Sequence, residues 1–293
     1  MTKQSKAETA LFLTTLIWAS TFVAMKIGLR DMSPVFMTAI RFTIASVFFL
    51  ALFWKKIFPL SSEALTKGII LGFILFLGFI AQNIGLNYTT ASKSAFITSL
   101  MVVFVPILQF AIEKRSPTFG NITGIITVVA GLWLLTSPEG SRFNFGDFLT
   151  FVTAIVFAFY IVYLDIASRV MSAIQLSFLQ SAAAAVFSVI ATLAFENYFF
   201  NPTSSVIIAV VYLTVFATVV TTFVQTKYQK DTTPTRAAII FTIEPVWASI
   251  YAYFLLGETL GPLGMLGGGL IIAGVLVSEL SGMIPLLNRA IKS

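Results

Sequence analysis

The sequence predicts an all-α membrane protein with ten transmembrane helices, arranged as two inverted repeats of five helices. Three observations support this prediction: the apolar composition, ten apolar runs of helix length, and an internal repeat. Of the 293 residues, 58% are hydrophobic and 10% are charged, whereas a soluble domain averages about 45–50% apolar and about 25% charged residues. Because so few charges cannot cover a water-facing surface, the composition excludes a soluble globular protein, and its hydrophobicity excludes a disordered chain.

Ten apolar runs are each long enough for a helix that crosses a bilayer, whose hydrocarbon core of about 30 Å takes about 20 residues. Their hydrophobicity is continuous, unlike the short alternating segments of a membrane β-barrel, so we expect helices. The runs lie near residues 9–28, 34–54, 67–87, 94–113, 120–137, 147–165, 173–195, 204–225, 236–256 and 261–281. The connections between them are short, so we expect no domain outside the membrane.

The distribution of lysine and arginine predicts that both termini are cytoplasmic. With ten spans, both termini share one face, and that face would hold Lys3, Lys6, Lys55, Lys56, Lys67, Lys114, Arg115, Arg169, Lys227, Lys230, Arg236, Arg289 and Lys292. The opposite face would hold only Lys26, Arg30, Lys93 and Arg142. Positive residues concentrate on the cytoplasmic side of membrane proteins, so we expect a multi-pass protein of a bacterial cytoplasmic (inner) membrane, surrounded by the lipid bilayer. Because lysine and arginine are scattered along the chain and do not form a basic patch, we attribute the net charge of +6 to membrane topology and not to nucleic acid binding.

The two halves of the chain match one another at a nearly constant displacement. It is 139 residues at first and 143 from the fourth span onward, and the matched pairs include Trp18 with Phe157, Ser33 with Ser172, Lys93 with Arg236, and Gly124 with Gly267. The pattern predicts one repeat over residues 1–140 and a second over residues 141–293. Since five is odd, the second repeat enters the membrane in the opposite orientation, which is a recurring build of secondary transporters with a site near the midplane.

Several short motifs, in their order along the chain, resemble the EamA type of the drug/metabolite transporter superfamily. They are Trp18-Ala-Ser-Thr-Phe-Val-Ala-Met-Lys26, Arg41-Phe42, Tyr88-Thr-Thr-Ala-Ser92, Glu244-Pro-Val246, Leu256-Gly-Glu258 and Ala273-Gly274. The resemblance covers nearly the whole chain, although Pro106 stands in place of the proline that is usual near Val102. It implies a transporter of small metabolites, such as amino acids or related compounds, commonly in the export direction. It also implies a path lined by spans one, three, four, six, eight and nine.

Two ionisable residues fall well inside spans, where a charge is costly and indicates a cavity or a partner. Arg41 lies roughly 10 Å into the second span, and its planar guanidinium either binds a substrate carboxylate or phosphate or makes structural bonds to backbone carbonyls or another helix. Glu244 lies near the middle of the ninth span beside Pro245, which is expected to bend the helix and free a carbonyl. Its carboxylate either binds a substrate amine or a proton, or pairs with a basic side chain such as Arg41. For Glu244 we favour the functional role.

Aromatic and amide side chains inside spans are further candidates for the substrate path. They are Trp18, Tyr160, Trp247, Gln82, Asn83 and Gln180. The aromatic rings would form a wall that suits cations and apolar groups, or fill gaps between helices. The amides would line the path or bond across helices. Gln180 aligns with Arg41, so the two halves carry different chemistry at one position.

Glycine spacing and prolines predict where helices pack and bend. Gly120 and Gly124 in the fifth span, and Gly264 and Gly268 in the tenth, are four residues apart, which allows close approach of helix backbones. The sequence allows two partners for these glycine faces: a helix of the same chain, or a second copy of the chain in a homodimer. The expected hinges are Pro106 and Pro245.

Composition also limits the alternatives to a transporter. The chain has no His and no Cys, so we expect no metal site, cofactor or catalytic centre, and it lacks a phosphate-binding GxxxxGK[ST] motif. A small-solute channel would need a ring of filter residues, which is not visible in one chain. A non-transporting receptor or scaffold would usually carry a soluble domain. A secondary transporter with a small-molecule substrate is therefore the favoured function.

Overall fold

The computed structural model describes residues 2–113, 119–135 and 143–283, and its regular elements in these ranges are helices. The α-helices are α1 (Lys3–Gly28), α2 (Pro34–Ile57), α3 (Ser62–Leu86), α4 (Ala91–Thr98), α5 (Met101–Glu113), α6 (Phe119–Leu135), α7 (Phe145–Ser168), α8 (Ala173–Phe195), α9 (Ser204–Thr214), α10 (Thr221–Tyr228), α11 (Pro234–Phe241), α12 (Glu244–Leu256) and α13 (Pro262–Met283). A π-helical segment, Val215–Val220, joins α9 to α10, and a 3₁₀ turn, Gln229–Asp231, follows α10.

Eight helical segments in the described ranges are long and apolar enough to cross a membrane. They are Lys3–Gly28, Pro34–Ile57, Ser62–Leu86, Ala91–Ala111, Phe145–Ser168, Ala173–Phe195, Ser204–Asp231 and Pro234–Leu256, and two shorter apolar helices are Ile126–Leu135 and Pro262–Gly274. The eight coincide with eight predicted spans, and the shorter helices lie where the fifth and tenth spans were expected. The chain is therefore a helical, multi-pass membrane protein, and the count of ten spans stays a prediction.

The fourth and ninth spans are both interrupted near the middle. The first interruption separates Thr98 from Met101, and the second separates Phe241 from Glu244. The two breaks are 143 residues apart, which is the displacement that aligned the halves of the sequence. Each span therefore consists of two short helices that meet inside the bundle.

A hydroxyl side chain accompanies each interruption. Ser99 donates its hydroxyl to the carbonyl of Phe96 at 2.6 Å, and Thr242 donates to the carbonyl of Ile239 at 2.7 Å. Such bonds offer the backbone an alternative to the regular helical ladder. Helix α5 continues through Pro106, so the break in the fourth span precedes the proline that the sequence predicted as its hinge.

Helices α6 and α13 approach one another closely through glycines. A Cβ atom on Gly267 would lie 2.5 Å from the backbone nitrogen of Leu135, and one on Gly274 would lie 2.8 Å from the carbonyl oxygen of Gly124. A Cβ on Gly268 would lie 2.6 Å from the ring of Phe96. The partners of these glycines are therefore helices of the same chain.

The other two predicted packing glycines are Gly264 and Gly120. A Cβ on Gly264 would be in ordinary contact with Leu260 at 3.5 Å, and the surroundings of Gly120 lie outside the described residues. The homodimer remains a prediction.

Candidate functional site

A cavity of about 80 Å³ lies inside the helical bundle. Its walls come from α1, α2, α3, α7, the π-helical segment and α10, together with the ends of α4, α5, α11 and α12 that meet at the two interruptions. A buried water needs roughly 10–15 Å³ on this measure, so the cavity has room for several waters. All six spans expected to line the path contribute to it, and the second span does as well.

Five of the eight side chains predicted to bind substrate line this cavity. They are Trp18, Arg41, Gln82, Tyr160 and Glu244. Three do not line it: Asn83, Gln180 and Trp247. The ring of Trp247 instead packs beside Tyr251, with 6.2 Å between ring centroids. The cavity therefore gathers both ionisable candidates.

Arg41 is fully buried and is held mainly by the eighth span. Its Nε donates to Thr218 Oγ1, and its Nη2 donates to the carbonyl of Ala217 at 2.8 Å. Its Nη1 faces the sulfur of Met25 at 3.8 Å, and the guanidinium carbon lies 4.4 Å from the centroid of the Phe79 ring. The Nε–Nη2 edge, which can hold a carboxylate bidentately, is therefore occupied. These bonds to a backbone carbonyl and to another helix are the ones that the sequence offered as the alternative to substrate binding, and a role of Arg41 in binding stays a prediction.

The π-helical segment Val215–Val220 provides the acceptors for this arginine. The N–H of Thr221 donates to the carbonyls of Phe216 and Thr218. In a regular α-helix it would donate to the carbonyl of Ala217, which here accepts from the guanidinium. Short π-helical segments are rare and frequently occur at functional sites.

Glu244 lines the same cavity, where its carboxylate meets no partner in the described part of the chain. Its side chain is 8% exposed, and among the described residues it has no hydrogen bond or ion pair. It begins α12, where the positive end of the helix dipole offsets part of a negative charge. The pair between Glu244 and Arg41 that the sequence left open is thus not formed.

Pro245 follows in the first turn of α12. At this position its missing N–H costs no helical hydrogen bond. The proline is therefore compatible with a helix that starts anew at Glu244, in the second half of the ninth span.

Aromatic rings form much of the cavity wall. Trp18 meets Phe241 edge to face, with 5.1 Å between ring centroids. Phe79 makes similar contacts with Phe42 at 5.2 Å and with Phe157 at 5.3 Å. Because all five residues line the cavity, a bound molecule would meet ring faces and edges on several sides.

Two of the predicted amides bond across helices next to the cavity. The hydroxyl of Tyr160 donates to Gln180 Oε1 at 2.8 Å, and the amide nitrogen of Gln180 donates to Thr226 at 3.1 Å. Asn83 donates to Thr38 at 2.8 Å. These are the interhelical bonds that the sequence offered as the alternative to a role in binding.

Sequence reasoning missed the hydroxyl and amide residues that supply most of the remaining polar wall. They are Thr21, Thr98, Thr218, Thr222 and Gln225. The hydroxyl of Thr98 has no hydrogen-bond partner in the described part of the chain. The recurrence of threonine and glutamine in the otherwise apolar eighth span was the signal that could have found three of them.

A buried polar network closes the end of the bundle at which α1 ends. Lys93 Nζ lies 2.6 Å from Asp147 Oδ2, and both side chains are buried. The hydroxyl of Thr89 donates to the other oxygen of Asp147 at 2.6 Å, and Lys26 donates to the carbonyl of Thr89. Lys93, which the lysine and arginine distribution assigned to a membrane face, is therefore buried in an ion pair whose carboxylate belongs to the second half of the chain.

At the opposite end of the bundle, where α1 begins, two ion pairs are more exposed to solvent. Arg236 Nη1 lies 3.1 Å from Glu8, and Lys3 lies 3.0 Å from Asp231. Both pairs join the start of α1 to the segment around the start of α11. The cavity thus lies between a buried polar network and an exposed one.

Comparison with known proteins identifies a family. The sequence profile of the EamA-like transporter family matches residues 5–137 and again residues 144–280. An uncharacterized transporter of Archaeoglobus fulgidus is 34% identical over 282 residues, covering 95% of this chain and 87% of that protein. The uncharacterized inner membrane transporter YedA of Escherichia coli is 26% identical, covering 92% of this chain and 90% of that protein.

A solved crystal structure shares the fold. It superposes with a TM-score of 0.73 at 17% identity and covers 99% of this chain and 100% of its own. At this identity the likeness concerns the fold alone.

Proposed function

Because this chain belongs to the EamA-like transporter family, we propose that it is a secondary transporter that moves a small metabolite by alternating access. Its relatives are named as transporters and not as enzymes. The observation that carries the proposal is the buried cavity at which both interrupted spans break and which Arg41 and Glu244 line. Interrupted helices that meet at a midplane site are typical of secondary transporters.

The proposed architecture has ten spans in two inverted repeats, residues 1–140 and 141–293. In its support, α4, α5 and α6 begin 143 residues before α11, α12 and α13 respectively, and the family profile matches the chain twice. With ten spans both termini lie on one face of the membrane, and the lysine and arginine distribution supports the cytoplasm as that face. The name of YedA supports an inner-membrane location.

The two polar networks are the proposed barriers of the transport cycle. Opening the pair of Lys93 and Asp147 would admit solute from the face at which α1 ends, and opening the pair of Arg236 and Glu8 would admit it from the other. Pro245, beside the break in the ninth span, supports a hinge there. The proposed hinge at Pro106 rests on the sequence alone.

The proposed substrate is a small amphipathic metabolite, an amino acid or a related compound, and the proposed direction is export. Ring faces, one carboxylate and one guanidinium in a single cavity suit a molecule with an apolar body and a charged group. The amino acid class and the direction come from the family resemblance.

Proteoliposomes test the proposed function. The vesicles are loaded with the twenty protein amino acids and their decarboxylated amines, and efflux is followed by mass spectrometry. We expect the protein to accelerate efflux of a subset of these compounds, with saturation and with stimulation by the same compound outside, which a channel would not show. The Glu244→Gln variant is expected to lose this efflux, and the surface variant Glu63→Gln is expected to keep it. Efflux no faster than from loaded vesicles without the protein would contradict the proposal.

A further inference from the structure

We propose that the cavity selects organic cations: amines with an aromatic or branched apolar body, whose ammonium group binds Glu244 and which need no carboxylate. This proposal rests on the proposed transport function and names the substrate class for the same cavity. It follows from an imbalance between the two charged residues in the wall. The protein supplies neutral acceptors for the guanidinium of Arg41, whereas the described residues supply no donor or counter-ion for the carboxylate of Glu244.

The positive charge of Arg41 is compensated within the protein. Thr218 and the carbonyl of Ala217 accept from the Nε–Nη2 edge of its guanidinium. The ring of Phe79 lies 4.4 Å from the guanidinium carbon, close enough for a cation–π interaction. A substrate carboxylate would have to displace these acceptors to form a bidentate pair with the Nε–Nη2 edge.

The described residues would not solvate a negative charge on Glu244 in this way. Its carboxylate lines the cavity with no hydrogen bond or ion pair to a described residue, and a helix N-terminus supplies only about half a positive charge. A buried charge without a partner is costly, so a cation in the cavity would remove a cost that an anion would increase.

The remaining wall also suits an ammonium group. The Thr98 hydroxyl is buried, lines the cavity and has no hydrogen-bond partner among the residues that the structure describes. Its oxygen can therefore accept from an ammonium, which has three donors and no acceptor. Trp18 and Phe241 supply aromatic surface on the same cavity. Aromatic faces attract cations and also bury an apolar body.

Three probes with the same phenylethyl body separate the charge classes. Phenethylamine carries an ammonium group, 3-phenylpropionate carries a carboxylate, and L-phenylalanine carries both. Each is added to the purified full chain, and the melting temperature is followed by tryptophan fluorescence, since a ligand of the native state raises it by mass action. We expect phenethylamine to raise the melting temperature in a dose-dependent way, and 3-phenylpropionate to leave it unchanged.

Variants of the carboxylate assign the effect to one residue. Loss of a hydrogen bond to a charged group corresponds to roughly a 10- to 150-fold loss of affinity, so we expect this loss for phenethylamine in Glu244→Gln. Glu63→Gln, which changes an exposed glutamate paired with Lys67, is the matched control and keeps the wild-type shift. If Glu244→Gln does not fold, Glu244→Asp decides, because it keeps the charge and is expected to retain weakened binding.

Four results would overturn the proposal. They are an equal shift with 3-phenylpropionate, a larger shift with L-phenylalanine than with phenethylamine, an undiminished shift in Glu244→Gln, and no shift with any probe. The second would assign the carboxylate of a zwitterion to Arg41. Vesicle efflux of other compounds would persist in each case if the transport function is correct, so the two proposals fail separately.

Discussion

Replacement of Thr218 by valine tests how the buried arginine is held. The hydroxyl of Thr218 accepts from Arg41 and donates to the carbonyl of Leu213 at 2.8 Å. Valine has nearly the same shape, so the substitution removes both bonds and creates no cavity. The buried guanidinium would then keep its charge and lose one of its two oxygen acceptors.

The expected cost follows from the two bonds. A hydrogen bond to a charged group contributes about 1.5–3 kcal/mol, and a neutral one contributes about 0.5–1.5 kcal/mol. We therefore expect Thr218→Val to lower the free energy of unfolding by about 2–4 kcal/mol. Thr218→Ser keeps the hydroxyl and loses one methyl group, so it is expected to cost about 1 kcal/mol.

A double-mutant cycle isolates the contact with the arginine. Unfolding is measured in mixed micelles with increasing dodecyl sulfate, for the wild type, Thr218→Val, Arg41→Met and the double variant. The predicted coupling between the two sites is about 1.5–3 kcal/mol. If Thr218→Val costs as much with methionine at position 41 as with arginine, or costs nothing in either protein, then this threonine does not hold the guanidinium.

Two further predictions use the same unfolding assay. Asp147→Asn removes the carboxylate that pairs with the buried ammonium of Lys93 and is expected to cost about 3–5 kcal/mol. Asp165→Asn, in a partly exposed pair with Arg169, is expected to cost at most about 1 kcal/mol, and equal costs for the two variants would contradict the buried pair. Gly267→Ala places a Cβ 2.5 Å from a backbone nitrogen of α6 and is expected to cost about 1–3 kcal/mol. Gly269→Ala, with open space around it, is expected to cost nothing, so a neutral Gly267→Ala would refute the close approach of α6 and α13.

The sequence predicted the helical membrane fold because span length and hydrophobicity are local properties. The breaks in the fourth and ninth spans were less visible. Ser99 and Thr242 are small hydroxyl residues at matching positions, but in isolation each is compatible with a continuous helix. The prolines received more weight, and one of them, Pro106, lies within a helix that continues through it.

The sequence predicted some residues of the site and not others, again because only local properties are visible in a sequence. Arg41 and Glu244 stand out in any apolar span, since a buried charge is costly wherever its partner lies. The partner of a buried polar side chain, in contrast, depends on tertiary contacts. Gln180 accepts a hydrogen bond from the hydroxyl of Tyr160, and Asp147 pairs with Lys93. The π-helical segment that supplies the acceptors for Arg41 differs from an α-helix in its backbone hydrogen bonds and not in its apolar pattern. The sequence therefore contained no signal of it.

Alternating access requires that the cavity opens to each side of the membrane in turn, and cysteine labelling tests this most directly. The chain has no cysteine, so a single Thr98→Cys reports from the cavity alone. A membrane-impermeant thiol reagent is applied to intact cells and to inverted membrane vesicles, with Ala184→Cys, buried in the helical core away from the cavity, as the control. We predict labelling of Thr98→Cys from both sides and of Ala184→Cys from neither, whereas labelling of Thr98→Cys from one side only would contradict alternating access.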